Sequence, residues 1–249
     1  MIRLLMVLAV LFAEAAHAEL PELTPVTASY KVTVNGIPVG TAATIAVQPL
    51  ADGRHEASFN VQNRFLRHHE VSRFDWKSCR ITPREYLHEF TGLGIERQSA
   101  LTFDPVHALA IETRGGKRLE IPLASDVTDA LNMAMLARCR LRDGSRLFDL
   151  PVIYRGERKD LSFRVAGEER VATPFGAFDA VIVERQYPQG GRRTRVWVAP
   201  TLDWFMVRFE HVENPVARGS MVLTDFRSGA PHTAAVPLKS HSPHTESIP

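Results

Sequence analysis

The run Ala28-Ser29-Tyr30-Lys31-Val32-Thr33-Val34-Asn35-Gly36-Ile37-Pro38-Val39 decides the fold class. Its first seven residues alternate apolar and polar at period two, the signature of a half-buried strand. Asn35-Gly36 then reads as a tight hairpin turn. Val39 to Val47, rich in β-branched residues, is the return strand.

The same grammar repeats outward from this hairpin. Asp52-Gly53 turns the chain again, and His55 to Asn63 alternates as a third strand. Val71 to Trp76, Arg84 to Phe90, Arg97 to Asp104 and Ala108 to Glu112 continue the series. Gly92, Gly94, Asp104-Pro105 and Gly115-Gly116 punctuate it. Further strands are expected at Ser145 to Tyr154, Lys159 to Ala166, Phe178 to Gln186, Thr194 to Ala199, Trp204 to Glu210 and Gly219 to Phe226, with a turn at Gly190-Gly191. Short strands at this spacing predict a meander, sandwich or barrel and exclude a chain of βαβ units.

One segment departs from period two. Asp126 to Leu141 has helical spacing, with Val127, Leu131, Ala134 or Met135, and Arg138 on one face. Ser125 or Asp126 is placed to cap its start, and Asp143-Gly144 to stop it. The fold class is therefore mainly β: a curved antiparallel sheet or open half-barrel with one central α-helix.

The termini are different in kind. Met1-Ile2-Arg3, the apolar run Leu4 to Ala13 and the small-x-small site Ala16-His17-Ala18 form a signal-peptide pattern, with cleavage expected after Ala18. The apolar run is too short to span a bilayer. Residues 19–228 read as a single β-rich domain. Residues 229–249 are rich in Pro, Ser, His and Thr and read as a disordered tail. The expected location is the periplasm.

Composition supports a folded protein. Of 249 residues, 45% are hydrophobic and 23% charged, and 30 Lys+Arg against 28 Asp+Glu leave a net charge of +2. That balance argues against nucleic-acid binding. Two cysteines, Cys79 and Cys139, are an even pair in an oxidising compartment, where a disulfide is the usual outcome; two buried, unpaired thiols are the alternative.

Several motifs in order resemble a proteobacterial envelope family. Asp126-Val127-Thr128-Asp129-Ala130-Leu131, with Arg138 seven residues on, is similar to its helix element. Thr173-Pro174-Phe175-Gly176-Ala177-Phe178 resembles its strand-entry motif, and Arg195-Val196-Trp197-Val198-Ala199 with Trp204-Phe205-Met206-Val207 resembles its paired terminal strands. Trp204-Phe205-Met206 replaces the family's usual Leu-Pro. Tyr30-Lys31-Val32 through Gly36-Ile37-Pro38-Val39-Gly40 also fits. The family is domain-of-unknown-function (DUF) family 3108. The resemblance covers most of Thr27 to Phe226. It implies a periplasmic curved sheet, more distantly similar to the LolA/LolB-like lipoprotein-carrier half-barrels, and it supplies no catalytic residues.

Candidate chemistry is sparse. Phe65-Leu66-Arg67-His68-His69-Glu70 could ligate a metal or do general-base work, but adjacent residues on a strand face opposite ways. This region reads as a solvated loop or an edge strand. His88-Glu89 lacks the second His of a zinc-binding helix, since Gly92 stands there. Asp126 and Asp129, one turn apart, are explained by helix capping. No nucleophile elbow, phosphate loop or dinucleotide fingerprint is present. No catalytic residue, metal ligand or cofactor is assigned, and an envelope hydrolase is the minor alternative. Arg192, Arg193 and Arg195, with Arg64, Arg67, Arg73, Arg80 and Arg84, offer a basic surface for an anionic envelope partner and peripheral membrane contact.

The expected function is non-enzymatic binding of a lipid-like or other hydrophobic ligand on the concave face. The apolar wall assigned to it comprises Phe59, Phe74, Phe90, Phe103, Leu131, Met135, Phe163, Trp197 and Phe209, with the helix as lid or plug. The alternative is an assembly or scaffolding module that docks another envelope protein through strand edges.

Overall fold

The computed structural model describes residues 23–229, apart from positions 93, 124, 125 and 189 and the side chain at position 41. The expected signal peptide and residues 230–249 of the expected tail lie outside the described residues.

The strands are β1 (Val26–Val34), β2 (Ile37–Pro49), β3 (His55–Gln62), β4 (Leu66–Lys77), β5 (Arg80–Gly92), β6 (Ile95–Asp104), β7 (Leu109–Arg114) and β8 (Lys117–Pro122). Helix α1 (Asn132–Arg142) follows. Then come β9 (Leu147–Tyr154), β10 (Glu157–Thr173), β11 (Gly176–Arg185), β12 (Arg193–Ala199), β13 (Phe205–Asn214) and β14 (Ala217–Ser228). All fourteen form one antiparallel sheet in the order β8-β7-β6-β5-β4-β3-β2-β1-β14-β13-β12-β11-β10-β9. Every neighbour pair is consecutive in sequence except β1 and β14, which join the two halves of the meander.

Three differences from the sequence reading have clear causes. Strand β8 carries no alternation signal because Lys117-Arg118-Leu119-Glu120 has almost no apolar content; it is an exposed edge, and its charges and Pro122 suit one. Strand β10 runs on to Thr173, past Gly167, because that glycine sits at a bulge in its pairing with β11 and does not end the strand. Strand β4 starts at Leu66, so His68, His69 and Glu70 lie on a strand flanked on both sides, neither in a loop nor at an edge.

The helix is shorter than its pattern. Residues 127–129 are extended: Thr128 makes a parallel bridge to Val152, its N–H donating to the Pro151 carbonyl (3.1 Å) and its own carbonyl accepting from the Ile153 N–H (2.9 Å). The turn then begins at Asp129. One carboxylate oxygen of Asp129 accepts from the backbone N–H groups of Leu131 (3.0 Å) and Asn132 (2.9 Å), so Asp129 is the cap in place of Ser125 or Asp126. Its other oxygen accepts from the Ser72 hydroxyl on β4 (2.7 Å) and the Asn132 amide (2.8 Å). Asp129, Ser72 and Asn132 are wholly buried. Burial pushes the Asp129 carboxyl up to about 6, against the pull of these hydrogen bonds.

The sheet curls and the helix packs on its inner face. Tyr30 on β1 donates to the Met206 carbonyl on β13 (2.9 Å). Around it Ala28, Val171, Trp197, Phe205 and Leu223 bring β1, β10, β12, β13 and β14 into one core. From α1, Met135 packs with Val47, Ala57 and Phe74, and Leu141 packs with Phe148 and Leu150. Arg138 reaches out of the helix to the Asp203 carboxylate and carbonyl and lies over the Phe205 ring. The two cysteines form a disulfide, Cα–Cα 5.9 Å, joining the β4–β5 turn to α1; the free-thiol alternative is thereby excluded.

Strands β8 and β9, the two ends of the sheet, do not pair with each other. The gap is bridged by the 127–129 segment on β9 and by Arg114 of β7, whose guanidinium donates to the Arg155 carbonyl (3.2 Å) in the β9–β10 turn. The result is an open barrel with a helix in its mouth.

Candidate functional site

The helix does not fill the whole concavity. A pocket of about 650 Å³ remains between the β4–β7 half of the sheet and the β9–β10 hairpin. That volume is within the range of small-molecule sites. Its apolar part comes from Phe90, Leu101, Ala130, Ile153 and Tyr154. Its polar part comes from His68, Tyr86, His88, Ser99 and Glu112, with Glu96, Arg97, Gln98, Arg114, Gly115 and Arg155 completing the lining.

Strand alternation explains why these side chains converge. Glu70 on β4 stands directly opposite His88 on β5, and His68 stands opposite Phe90. Residues 68 and 70, and 88 and 90, are two apart, so all four project from one face of the sheet. Nε2 of His68 lies 2.7 Å from Oε1 of Glu70, and the Tyr86 hydroxyl donates to Oε2 of Glu70 (2.8 Å). The His68 ring meets Phe59, His88 and Phe90 edge to face. Burial works to raise the Glu70 carboxyl, but the His68 imidazole beside it and the hydrogen bond from Tyr86 hold it below its ordinary value. Burial pushes the His88 imidazole down and the Tyr86 phenol up.

Glu112 on β7 is the second polar feature. It is 3% exposed, and one of its carboxylate oxygens is buried with no hydrogen-bond partner. Arg114 is 3.8 Å from the other. Gly156 closes over this pair: a Cβ there would lie 2.8 Å from Leu119 and 3.2 Å from Glu112, at a φ of +82°. Glycine is therefore the residue that lets the hairpin approach.

The nine residues assigned to a ligand wall do not form one. Phe74, Phe103, Met135, Phe163 and Trp197 are buried in four separate core clusters. Leu131 packs between two of these clusters, and Phe59 packs against the Tyr30 core. Phe209 is half-buried on β13. Phe90 lines the pocket. A concave sheet needs its large apolar residues for its own core once a helix enters it, which leaves few for a ligand. The convergence of His68, Glu70 and His88 escaped the sequence because it is made across two strands. The signal that could have found it was the pairing of His-x-Glu on one strand with His-x-Phe on the next.

The basic surface is also altered by folding. Arg73 pairs with Glu56, Arg84 with Asp75, Arg192 with Glu213, and Arg195 with Glu184. Much of the expected anion-binding charge is thus neutralised by neighbouring strands.

Fold and pocket together define a class: open, antiparallel barrel-like proteins with a helix in the mouth and a polar-lined pocket beside it. The profile of the family described as a protein of unknown function (DUF3108) matches residues 29–224, and the chain belongs to that family. No curated protein matches the chain. Among solved structures, it is similar to a beta-barrel-like protein of the domain of unknown function DUF1849 from Brucella abortus. The TM-score is 0.55 at 8% identity, over 84% of this chain and 99% of that one, which shows a shared fold. A protein of Parabacteroides distasonis described as a lipoprotein aligns over 83% of this chain and 97% of its own, with a TM-score of 0.37 and 13% identity.

Proposed function

We propose that this is an exported, periplasmic binding protein that holds a small amphiphilic ligand in the pocket between β4–β7 and the β9–β10 hairpin, without turning it over chemically. The observation that carries the reading is the pocket itself. It is the size of a ligand site, its lining is divided between aromatic or aliphatic walls and charged groups, and it contains a buried carboxylate oxygen without a partner. The ligand is smaller and more polar-headed than a wholly apolar lipid, because most of the aromatic side chains are committed to the core. The Cys79–Cys139 disulfide supports export to an oxidising compartment, as does the signal-peptide pattern.

Native mass spectrometry of the mature protein purified from periplasm, followed by solvent extraction, tests this. The expected result is a discrete co-purifying mass that Ser99→Trp removes, since Ser99 lines the pocket from a half-buried position. An adduct that persists in Ser99→Trp, or a wild-type protein that carries none and binds no amphiphile on titration, overturns the reading. Leu131→Asp is a poor probe, because Leu131 is part of the packing between helix and sheet.

A second reading, docking of another envelope protein, is favoured by one patch. Val34, Ile37 and Val216 are exposed on two turns held together by Asn35 and Arg218. Substituting Ile37, 69% exposed, and Val216, 81% exposed, by Ser would abolish partner capture on that reading and leave the pocket adduct intact.

A further inference from the structure

We infer that His68, Glu70 and His88 form a binding site for a divalent transition-metal cation of the zinc type, open on one side to the pocket. The donor atoms of the three lie within 4.8 Å of one another. Two imidazoles and a carboxylate are a ligand set that suits such ions, and a metal about 2.0–2.1 Å from each would hold donors about 3.3 Å apart. His68 and Glu70, at 2.7 Å, would part by a few tenths of an ångström. His88 would approach by side-chain rotation on the same sheet face.

Two further observations distinguish this cluster from a chance meeting of polar residues. The carboxylate is aimed: Tyr86, itself buried, donates to the Glu70 oxygen that faces away from His68. That is the outer-shell arrangement which fixes a ligating carboxylate. The His68 ring is also held in place by Phe59 and Phe90 on flanking strands. Two other His–carboxylate contacts among the described residues lack these features. His107–Asp104 is an exposed turn contact, and neither it nor His211–Glu213 has a third His, Cys or carboxylate ligand within reach among the described residues.

Three protein ligands leave a fourth position. His68 and His88 line the pocket, so that position faces the pocket. Arg97 on β6, opposite Phe90, also lines the pocket, and its guanidinium would favour an anionic group as the fourth ligand. The site does not depend on the identity of any amphiphile in the pocket.

The test uses the full mature chain, stripped with a chelator and titrated with Zn²⁺ and Co²⁺. One equivalent is expected to remain after gel filtration, and Co²⁺ should give a visible d–d band of low symmetry. His68→Gln and His88→Gln should each lower the affinity at least about a hundredfold, and Tyr86→Phe about tenfold, the lower end of outer-shell losses. His107→Gln and His211→Gln should leave it unchanged. A second measurement needs no variant: in the wild-type protein, Co²⁺ should shift the imidazole proton resonances of His68 and His88. Failure to take up a stoichiometric ion overturns the inference. So does uptake that shifts only His107, His211 or the histidines after position 229, or that ignores His68→Gln and His88→Gln.

Discussion

Asp129 carries two duties that pull its chemistry in opposite directions. As a helix cap it should be ionised, because the first-turn N–H groups it accepts from are the positive end of the helix dipole. As a wholly buried group it should be neutral, and burial prevails, moving the carboxyl from 3.8 to about 6. The folded state therefore holds a proton to higher pH than the unfolded chain. That part of the stability is complete below about pH 4 and is lost as pH rises through about 6. Asp129→Asn keeps a capping oxygen and removes the titration. In urea unfolding at about pH 4 and about pH 7, the wild type should lose up to about 3 kcal/mol more than the variant over that interval. Equal losses would show that Asp129 stays ionised throughout.

At the scale of elements, the helix is anchored at both ends by groups far away in sequence. Ser72 holds its start, while Cys79 and the Asp203 carboxylate hold its later turns. The disulfide closes a separation of 60 residues, worth about 4 kcal/mol by loop entropy. Cys79→Ser/Cys139→Ser should lower the unfolding free energy by that amount and speed hydrogen exchange in α1 more than in β1 or β14. A uniform effect would mean that the bond constrains only the unfolded chain.

The elements also show what the sequence could say. Alternation and turn dipeptides located most strands, because one face of each is buried and the other is not. They failed at Lys117–Pro122, an edge strand with little to bury, and at Gly167, where a bulge resembles a break. Helical spacing places α1 but begins it at Asp126, because Val127 is buried from an extended segment, packed with Leu101 and Ile153, and not from a helical face. The candidate site was least legible. Glu70 and His88 are 18 positions apart, and only the β4–β5 register makes them neighbours. The aromatic wall is not legible as core in the sequence, since an inward phenylalanine fits a core as well as a ligand.

For the whole molecule, the decisive pairing is β1 with β14. Leaving that pair aside, the sheet is two runs of hairpins with local contacts, β1–β8 and β9–β14. The pair spans the chain: Thr224 on β14 donates to the Ser29 carbonyl on β1 across 195 positions. Joining strands so distant slows folding, because loop closure precedes any reward from contact. Deleting residues 217–228 should therefore do more than trim an end. It would bare β1 and β13 together and open the Tyr30 core. Circular dichroism of that truncation should show loss of the cooperative transition; a chain that still melts cooperatively would mean that each half of the sheet is stable alone.

The same pairing bears on how the chain comes into being. A polypeptide is made from its N-terminus, so β1 is among the first strands to leave the ribosome and β14 among the last. For nearly the whole of synthesis, the strand that will sit in the middle of the sheet has an uncovered hydrogen-bonding edge. Its rightful neighbour does not yet exist, and any passing strand can take its place. Until residue 228 arrives, that edge stays open, and the core around Tyr30 waits for the end of the chain.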